Sequence, residues 1–116
     1  YCTASGKMYL SSLRQDKLDR LLASMDLKHH TDHTMVDPDA LKQELALTRG
    51  RRYATDDQEF MDGMLALAVP ICDDQGRLLS TLSIHAPNQR LDLQNLQQHL
   101  PRLQEARTQL ESLLTA

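Results

Sequence analysis

Aromatic residues and cysteines are scarce in this sequence. Phe, Tyr and Trp make up 3% of the 116 residues, and Trp is absent. The hydrophobic fraction of 41% is enough for an ordinary core, which must be built from Leu, Ala, Met, Ile and Val. The two cysteines, Cys2 and Cys72, match no zinc or redox spacing, so the sequence predicts a reduced, cytoplasmic protein and no cofactor.

Basic charge and long apolar runs are also missing. The formal net charge is −3, and the isoelectric point is about 5.9. Nucleic-acid binding needs a positively charged surface, so this segment is not expected to bind DNA or RNA by itself. No apolar run approaches the roughly 18 residues that cross a bilayer, so no membrane partner is expected. The length suits one domain, and a first residue of Tyr1 instead of Met predicts a fragment of a longer domain.

Helical periodicity marks the first part of the chain. Residues 4–25 carry apolar side chains at helical spacing, and a break near Ser11–Leu13 predicts two short helices. The polar residues 26–36 predict a loop that contains a short strand near residues 33–36.

Two further helices have boundary signals. Residues 37–50 begin with Asp37, a good N-cap, followed by proline at the first helical position. Gly50 is predicted as the left-handed residue just after this helix. Residues 92–114 keep a leucine stripe at helical spacing and predict one long helix, kinked at Pro101.

Three apolar or alternating segments predict strands. They are residues 51–55, 64–71 and 77–86, with a polar, glycine-containing turn before the last one. Alternation along the last strand places Ser83 and His85 on one face. A hairpin with helices around it predicts an α+β fold with a mainly antiparallel sheet.

Polar clusters indicate where chemistry could occur. Residues 2–7, CTASGK, contain small polar residues and a glycine ahead of a helix, which fits either a plain helix cap or a contact with an anion. Residues 55–63 hold four carboxylates, of which one could face inward while the others are solvated. Residues 29–33, HHTDH, contain metal-type ligands, but no complete set has metal spacing, so no metal site is predicted.

Three segments together resemble the effector-binding domain of IclR-type bacterial transcriptional regulators. They are TASGKMYL at 3–10, DPDALKQEL at 37–45 and RGRRYATDDQEFMDGMLALAVPICDDQGRLLSTLSIHAP at 49–87. The resemblance implies a GAF-like α+β fold of which residues 1–116 form the C-terminal part. The first strands of the ligand domain and the DNA-binding winged helix-turn-helix would lie outside this chain. The family implies no enzymatic activity, a small organic acid as effector, such as glyoxylate, pyruvate or an aromatic carboxylate, and self-association as a dimer or tetramer.

The same resemblance implies a ligand-binding site. The positions that match are Thr3, Ala4, Ser5, Asp56, Ala66, Ser83 and His85. Asp56 would point inward and accept hydrogen bonds from a ligand hydroxyl, or be protonated itself, while residues 55–62 would close the mouth of the pocket. Alanine at 66 and histidine at 85, where several relatives carry cysteine and serine, leave the ligand class open.

Two other functions stay open from the residues. A small hydrolase could use Ser83, His85 and Asp56, although no nucleophile elbow is present. A structural oligomerisation module could use the leucine stripe of the last helix. In a sensor, by contrast, the ligand alters DNA affinity only by binding one oligomer arrangement more tightly than another.

Overall fold

Residues 1–114 are described in the computed structural model, and they form five helices and a three-stranded antiparallel sheet. The elements are α1 (Ala4–Ser11), α2 (Gln15–Ser24), α3 (Pro38–Arg51), β1 (Ala54–Asp57), β2 (Met64–Cys72), β3 (Leu78–Pro87), α4 (Leu93–Gln97) and α5 (Leu100–Leu114). The strands lie in the order β1-β2-β3. The predicted α+β class is therefore confirmed.

The first two helices separate where the sequence predicts a break. α1 ends at Ser11 and α2 begins at Gln15. The short strand predicted near residues 33–36 is wrong, because these residues have no regular structure. The hydroxyl of Thr34 accepts hydrogen bonds from the amides of His30 and Thr31, at 3.0 Å each. Such local bonds offer the backbone an alternative to a strand ladder.

α3 begins as predicted and ends later than predicted. The Asp37 side chain accepts a hydrogen bond from the amide of Asp39 at 3.1 Å and caps the helix. Gly50 lies inside the helix, so its predicted role as the residue after the end is wrong. Arg52 takes the left-handed conformation instead, with φ of 62°. Arg51 is the last residue of the helix, and its side chain forms a 3.0 Å ion pair with Glu44, two turns earlier.

The last helical region is two helices instead of one kinked helix. α4 ends at Gln97, and α5 starts at Leu100 with Pro101 as its second residue. At the start of a helix the missing N–H of proline removes no internal bond, so the chain places Pro101 there and avoids the kink. Asp92 caps α4 by accepting a hydrogen bond from the amide of Asn95 at 2.8 Å.

The strand boundaries also differ from the prediction. β1 starts at Ala54, three residues later than predicted, and continues to Asp57. Pro70 lies within β2, but β1 pairs with β2 only as far as Ala68, so Pro70 has an open edge beside it. This agrees with the rule that proline in a sheet needs a free edge. β3 pairs with β2 and with no other strand among residues 1–114.

Each face of the sheet is covered by different helices. Side chains alternate along β2, so its even-numbered residues face α1 and its odd-numbered residues face α4 and α5. On the α1 face the core is small and consists of Ala4, Met8, Ala54, Ala66 and Ala68. On the α5 face it is larger and consists of Leu65, Leu67, Val69, Leu96 and Leu103. The predicted site residues of the sheet all belong to the α1 face.

A third apolar cluster joins the helices α1, α2 and α3. Its buried members are Leu10, Leu18, Leu22, Leu41 and Leu45. These leucines hold α3 beside α1, and α1 in turn lies over the sheet. The helices thus fix the position of the amino end of α1 relative to β1 and β3.

Candidate functional site

The strand register brings three of the expected residues side by side. Asp56 of β1 pairs with Ala66 of β2, and Ala66 pairs with His85 of β3. Ser83 lies one row further, opposite Ala68. Because all of these side chains belong to the α1 face, a carboxyl, an imidazole and a hydroxyl share one layer of the molecule.

The amino end of α1 supplies the other three expected residues. The Thr3 hydroxyl accepts a hydrogen bond from the Gly6 amide at 2.9 Å, so Thr3 is the N-cap of α1. A Cβ at Gly6 would lie 2.8 Å from this hydroxyl oxygen, which explains why glycine stands there. Ala4 is buried among the alanines of the sheet, and Ser5 is partly exposed.

Ser83 and His85 contact each other on the sheet surface. The hydroxyl oxygen of Ser83 lies 3.3 Å from Nε2 of His85. A hydrolytic triad would also need a carboxylate that orients the imidazole. Within residues 1–114 no hydrogen bond joins His85 to Asp56, whose Oδ1 accepts from the Glu59 amide at 2.8 Å. Ser83, His85 and Asp56 thus lie on one face of the sheet, but they do not form a catalytic triad.

Two of the four clustered carboxylates are buried. Asp56 is 4% exposed and Glu59 is 5% exposed, whereas Asp57 and Asp62 face solvent. Burial raises the pKa of the Asp56 carboxyl, and the hydrogen bond from the Glu59 amide, the Lys7 charge and His85 partly oppose this rise. The sequence predicts one inward carboxylate with Asp56 as the best candidate, and the structure adds Glu59.

Lys7 is buried beside these carboxylates, and the sequence pattern did not single it out. It is 0% exposed, and its ammonium lies 2.6 Å from Oε1 of Glu59. It also donates a 2.9 Å hydrogen bond to the carbonyl of Thr55. Burial raises the pKa of the Glu59 carboxyl, and the adjacent Lys7 ammonium opposes that rise. The signal that could have found Lys7 is a lone cation between the apolar positions of α1.

The residues after β1 are fastened to the loop that precedes α3. The hydroxyls of Thr31 and Thr34 donate hydrogen bonds to the carbonyls of Gln58 and Glu59. The sequence predicts a closing loop over residues 55–62, but the first three of these belong to β1. The remaining residues, 58–62, are held at their start by Thr31 and Thr34 of the loop that precedes α3 and by Lys7 of α1.

A groove of about 820 Å³ opens on the α1 face nearer to the turn between β2 and β3. Its walls include Tyr9, Arg49, Arg52 and Thr81, and Ser5 is the one residue of the expected site that lines it. The small core of Met8 and the alanines fills the middle of the layer between α1 and the sheet. An enclosure formed by all seven expected residues stays a prediction.

Comparison with known proteins decides the family. The model of the family described as "Bacterial transcriptional regulator IclR C-terminal" matches residues 1–112. The chain belongs to this family. The family resemblance inferred from the three sequence segments is therefore confirmed.

Relatives of the IclR family support this assignment in sequence and in structure. "Probable transcriptional regulator SauR" of Cupriavidus necator is 38% identical over 106 residues, which are 91% of this chain and 42% of that protein. The C-terminal domain of Escherichia coli KdgR matches with a TM-score of 0.86 at 29% identity, over 97% of this chain and 68% of that one. The inducer-binding domain of Acinetobacter PobR, a double mutant in complex with 3-hydroxybenzoic acid, matches with a TM-score of 0.90 at 27% identity, over 95% of this chain and 63% of that one.

The IclR relatives are regulators and not enzymes, in agreement with the prediction that this chain is not an enzyme. The chain spans about two fifths of the length of SauR. Within residues 1–114 no three His, Cys, Asp or Glu side chains come close enough to share a metal ion. In the same part of the chain, no helix has the length and apolar character needed to span a bilayer.

Replacing Asp56 by asparagine should raise the stability of this IclR domain at neutral pH and flatten its pH dependence. Because the pKa of Asp56 is raised in the fold, the folded state binds the proton more tightly than the unfolded chain. The stability contributed by this group is therefore complete below the unfolded pKa and is lost as the pH rises through the folded pKa. Asparagine keeps an acceptor for the Glu59 amide and carries no charge. Urea unfolding from about pH 3 to pH 8 measures the effect.

Asp57→Asn is the matched control, because Asp57 is the exposed neighbour of Asp56. It should leave the pH dependence unchanged. A variant Asp56→Asn that is less stable than the wild type at neutral pH would contradict the expectation.

Proposed function

We propose that this chain senses a small organic acid and belongs to a longer cytoplasmic regulator that controls transcription. The observation that carries the proposal is the convergence of Asp56, Ser83 and His85 on the α1 face, beside the amino end of α1. These are positions that the family resemblance assigns to ligand contact. The PobR domain in complex with 3-hydroxybenzoic acid gives further support, because it has this fold and its ligand is a small carboxylic acid.

The polar groups at this place suit an acid that also carries a hydroxyl or carbonyl group. The Ser83 hydroxyl can donate to a ligand carboxylate, and His85 can add a positive charge when protonated. Asp56 can accept a hydrogen bond from a ligand hydroxyl, or donate one when it is protonated, which its raised pKa favours. Ala66 lies between Asp56 and His85 and occupies little volume there.

The proposed response is a shift between arrangements of an oligomer. A ligand changes DNA affinity only if it binds one arrangement more tightly than the other. DNA contact would come from a separate winged helix-turn-helix domain, and residues 1–116 would be the C-terminal part of the ligand domain. In support, this chain covers 68% of the KdgR domain and 63% of the PobR domain. Exposed leucines near the end of α5, such as Leu113, support self-association.

A thermal-shift screen of the full-length protein with glyoxylate, pyruvate and 3-hydroxybenzoate tests the proposal. A ligand at one hundred times its Kd should add about 2.7 kcal/mol to the free energy of unfolding and raise the melting temperature. Ser83→Ala and Asp56→Ala should each weaken binding about tenfold, which corresponds to roughly 1.4 kcal/mol.

Ser80→Ala and Asp57→Ala are the controls for that experiment. Ser80 lies on the same strand as Ser83, opposite Ile71, and Asp57 is exposed next to Asp56. Both should bind like the wild type. If no small carboxylate stabilises the full-length protein, or if the site variants respond as the controls do, the sensor proposal fails.

A further inference from the structure

The turn that follows β1 has a strained residue at its centre. Gln58 adopts a backbone φ of 61°, a left-handed conformation that residues other than glycine rarely take. Such residues persist where the surroundings determine the backbone conformation. Here the Gln58 carbonyl accepts a hydrogen bond from the Thr31 hydroxyl. The Gln58 side chain accepts a 3.3 Å hydrogen bond from the Gly63 amide. The backbone conformation of Gln58 is therefore held by its hydrogen bonds with Thr31 and Gly63.

Glu59 contacts Asp56 through its backbone amide and Asp57 through its side chain. Its amide donates to Oδ1 of Asp56 at 2.8 Å. Its carboxylate Oε2 accepts from the amide of Asp57 at 3.1 Å. Its other oxygen, Oε1, faces the ammonium of Lys7 at 2.6 Å and has no other hydrogen-bond partner among residues 1–114. The position of Glu59 thus sets the surroundings of the Asp56 carboxylate.

Lys7 ties this arrangement to the first helix. Its ammonium bridges the Glu59 carboxylate and the carbonyl of Thr55, which is 48 residues away in sequence. The same helix begins with Thr3, Ala4 and Ser5. One buried cation therefore holds the amino end of α1 and the Asp56 turn at a fixed distance from each other.

A buried ion pair contributes little net stability compared with apolar side chains of similar size, because removing both charges from water is costly. Packing alone therefore gives no reason for a lysine and a glutamate at these positions. A role in fixing one conformation of the neighbouring backbone does give a reason.

We propose that Lys7 and Glu59 are positioning residues for Asp56, and that their ion pair sets the direction of the Asp56 carboxylate at the ligand site. Its consequence for ligand binding rests on the proposed function, whereas its effect on Asp56 does not. Neither residue needs to touch the ligand, since each acts through the backbone at the end of β1 and in the turn that follows it.

The test is the double variant Lys7→Met/Glu59→Met in the full-length protein, which removes both charges and keeps apolar volume. Amide exchange measured by NMR should become about tenfold faster or more at residues 57 and 59, because the Asp57 amide loses its acceptor Oε2 and the amide of residue 59 is no longer held beside Asp56 by the ion pair. The titration midpoint of the Asp56 carboxyl, followed by carbon-13 NMR, should move. The matched control is Lys17→Met/Glu105→Met, which removes two exposed charges on α2 and α5, outside residues 55–62, and should change neither quantity.

Binding is measured on the same variants with glyoxylate, pyruvate and 3-hydroxybenzoate. We expect about tenfold weaker binding in the double variant of any compound that the wild type binds. If none of them binds the wild type, the proposed function fails, while the exchange and titration results still decide the positioning role.

A folded double variant with unchanged exchange at residues 57 and 59 and an unchanged Asp56 titration would overturn the inference. If the double variant does not fold, Glu59→Gln takes its place, because it keeps the shape and one acceptor oxygen. That variant should show the same two changes to a smaller extent. Wild-type values for both would refute the positioning role.

Discussion

Replacing Lys7 alone by methionine is expected to lower the free energy of unfolding by about 3–5 kcal/mol at neutral pH. The variant leaves the Glu59 carboxylate in a buried place without its cation, and the carbonyl of Thr55 without its donor. Domains are stable by only about 5–15 kcal/mol, so this loss is a large fraction of the total. Urea unfolding of the purified protein, followed by far-UV circular dichroism, measures it.

The decrease in the free energy of unfolding caused by Lys7→Met should depend on the charge of Glu59. It should shrink as the pH falls through the pKa of Glu59, which burial raises, because the protonated acid has no charge to leave unpaired. Adding Glu59→Met should restore most of the stability, since no buried charge then remains. Lys17→Met, at an exposed position of α2, is the control and should stay within about 0.5 kcal/mol of the wild type. A Lys7→Met protein as stable as this control would show that the ion pair is not formed.

Truncating Leu45 to alanine is expected to lower the free energy of unfolding by about 2–5 kcal/mol. Leu45 lies on α3, is 1% exposed and packs in the cluster that joins α1, α2 and α3. The smaller side chain leaves a cavity and loses apolar burial. Because this cluster positions α1, ligand response should weaken together with stability. Urea unfolding and the thermal-shift screen give the two readouts.

Leu47→Ala is the matched control for that truncation. Leu47 lies two residues further along the same helix and is 60% exposed. The substitution should change the free energy of unfolding by no more than about 0.5 kcal/mol. Equal losses for the two variants would mean that α3 does not bury the face containing Leu45.

Local signals in the sequence predict much of this fold because their physical causes are local. The break after Ser11, the cap at Asp37 and the alternation of β3 depend on residues a few positions apart, and the structure has all three. The prediction that Gly50 follows the end of α3 is wrong, because the helix continues to Arg51, whose side chain pairs with Glu44 two turns earlier. Glycine permits a helix end without requiring one.

The candidate site was predictable only in part, and for a similar reason. Strand alternation places Ser83 and His85 together, and the structure confirms that they share a face. The burial of Glu59 depends on Lys7, which is distant in sequence, and no local pattern reports such a contact. The sequence can mark Lys7 as a lone cation between the apolar positions of α1, but a lysine is usually exposed, so only the structure shows that it is buried against Glu59.

The long third strand has a consequence for handling the protein. β3 runs for ten residues, pairs on one side only within the described residues, and carries no Lys, Arg, Asp or Glu from Leu78 to Pro87. Proteins usually protect such open backbone with charges, bulges or a covering segment. A concentrated solution of this chain alone should therefore favour intermolecular sheet formation and precipitation. We expect the protein to stay in solution better when it is dilute and carries a solubility tag.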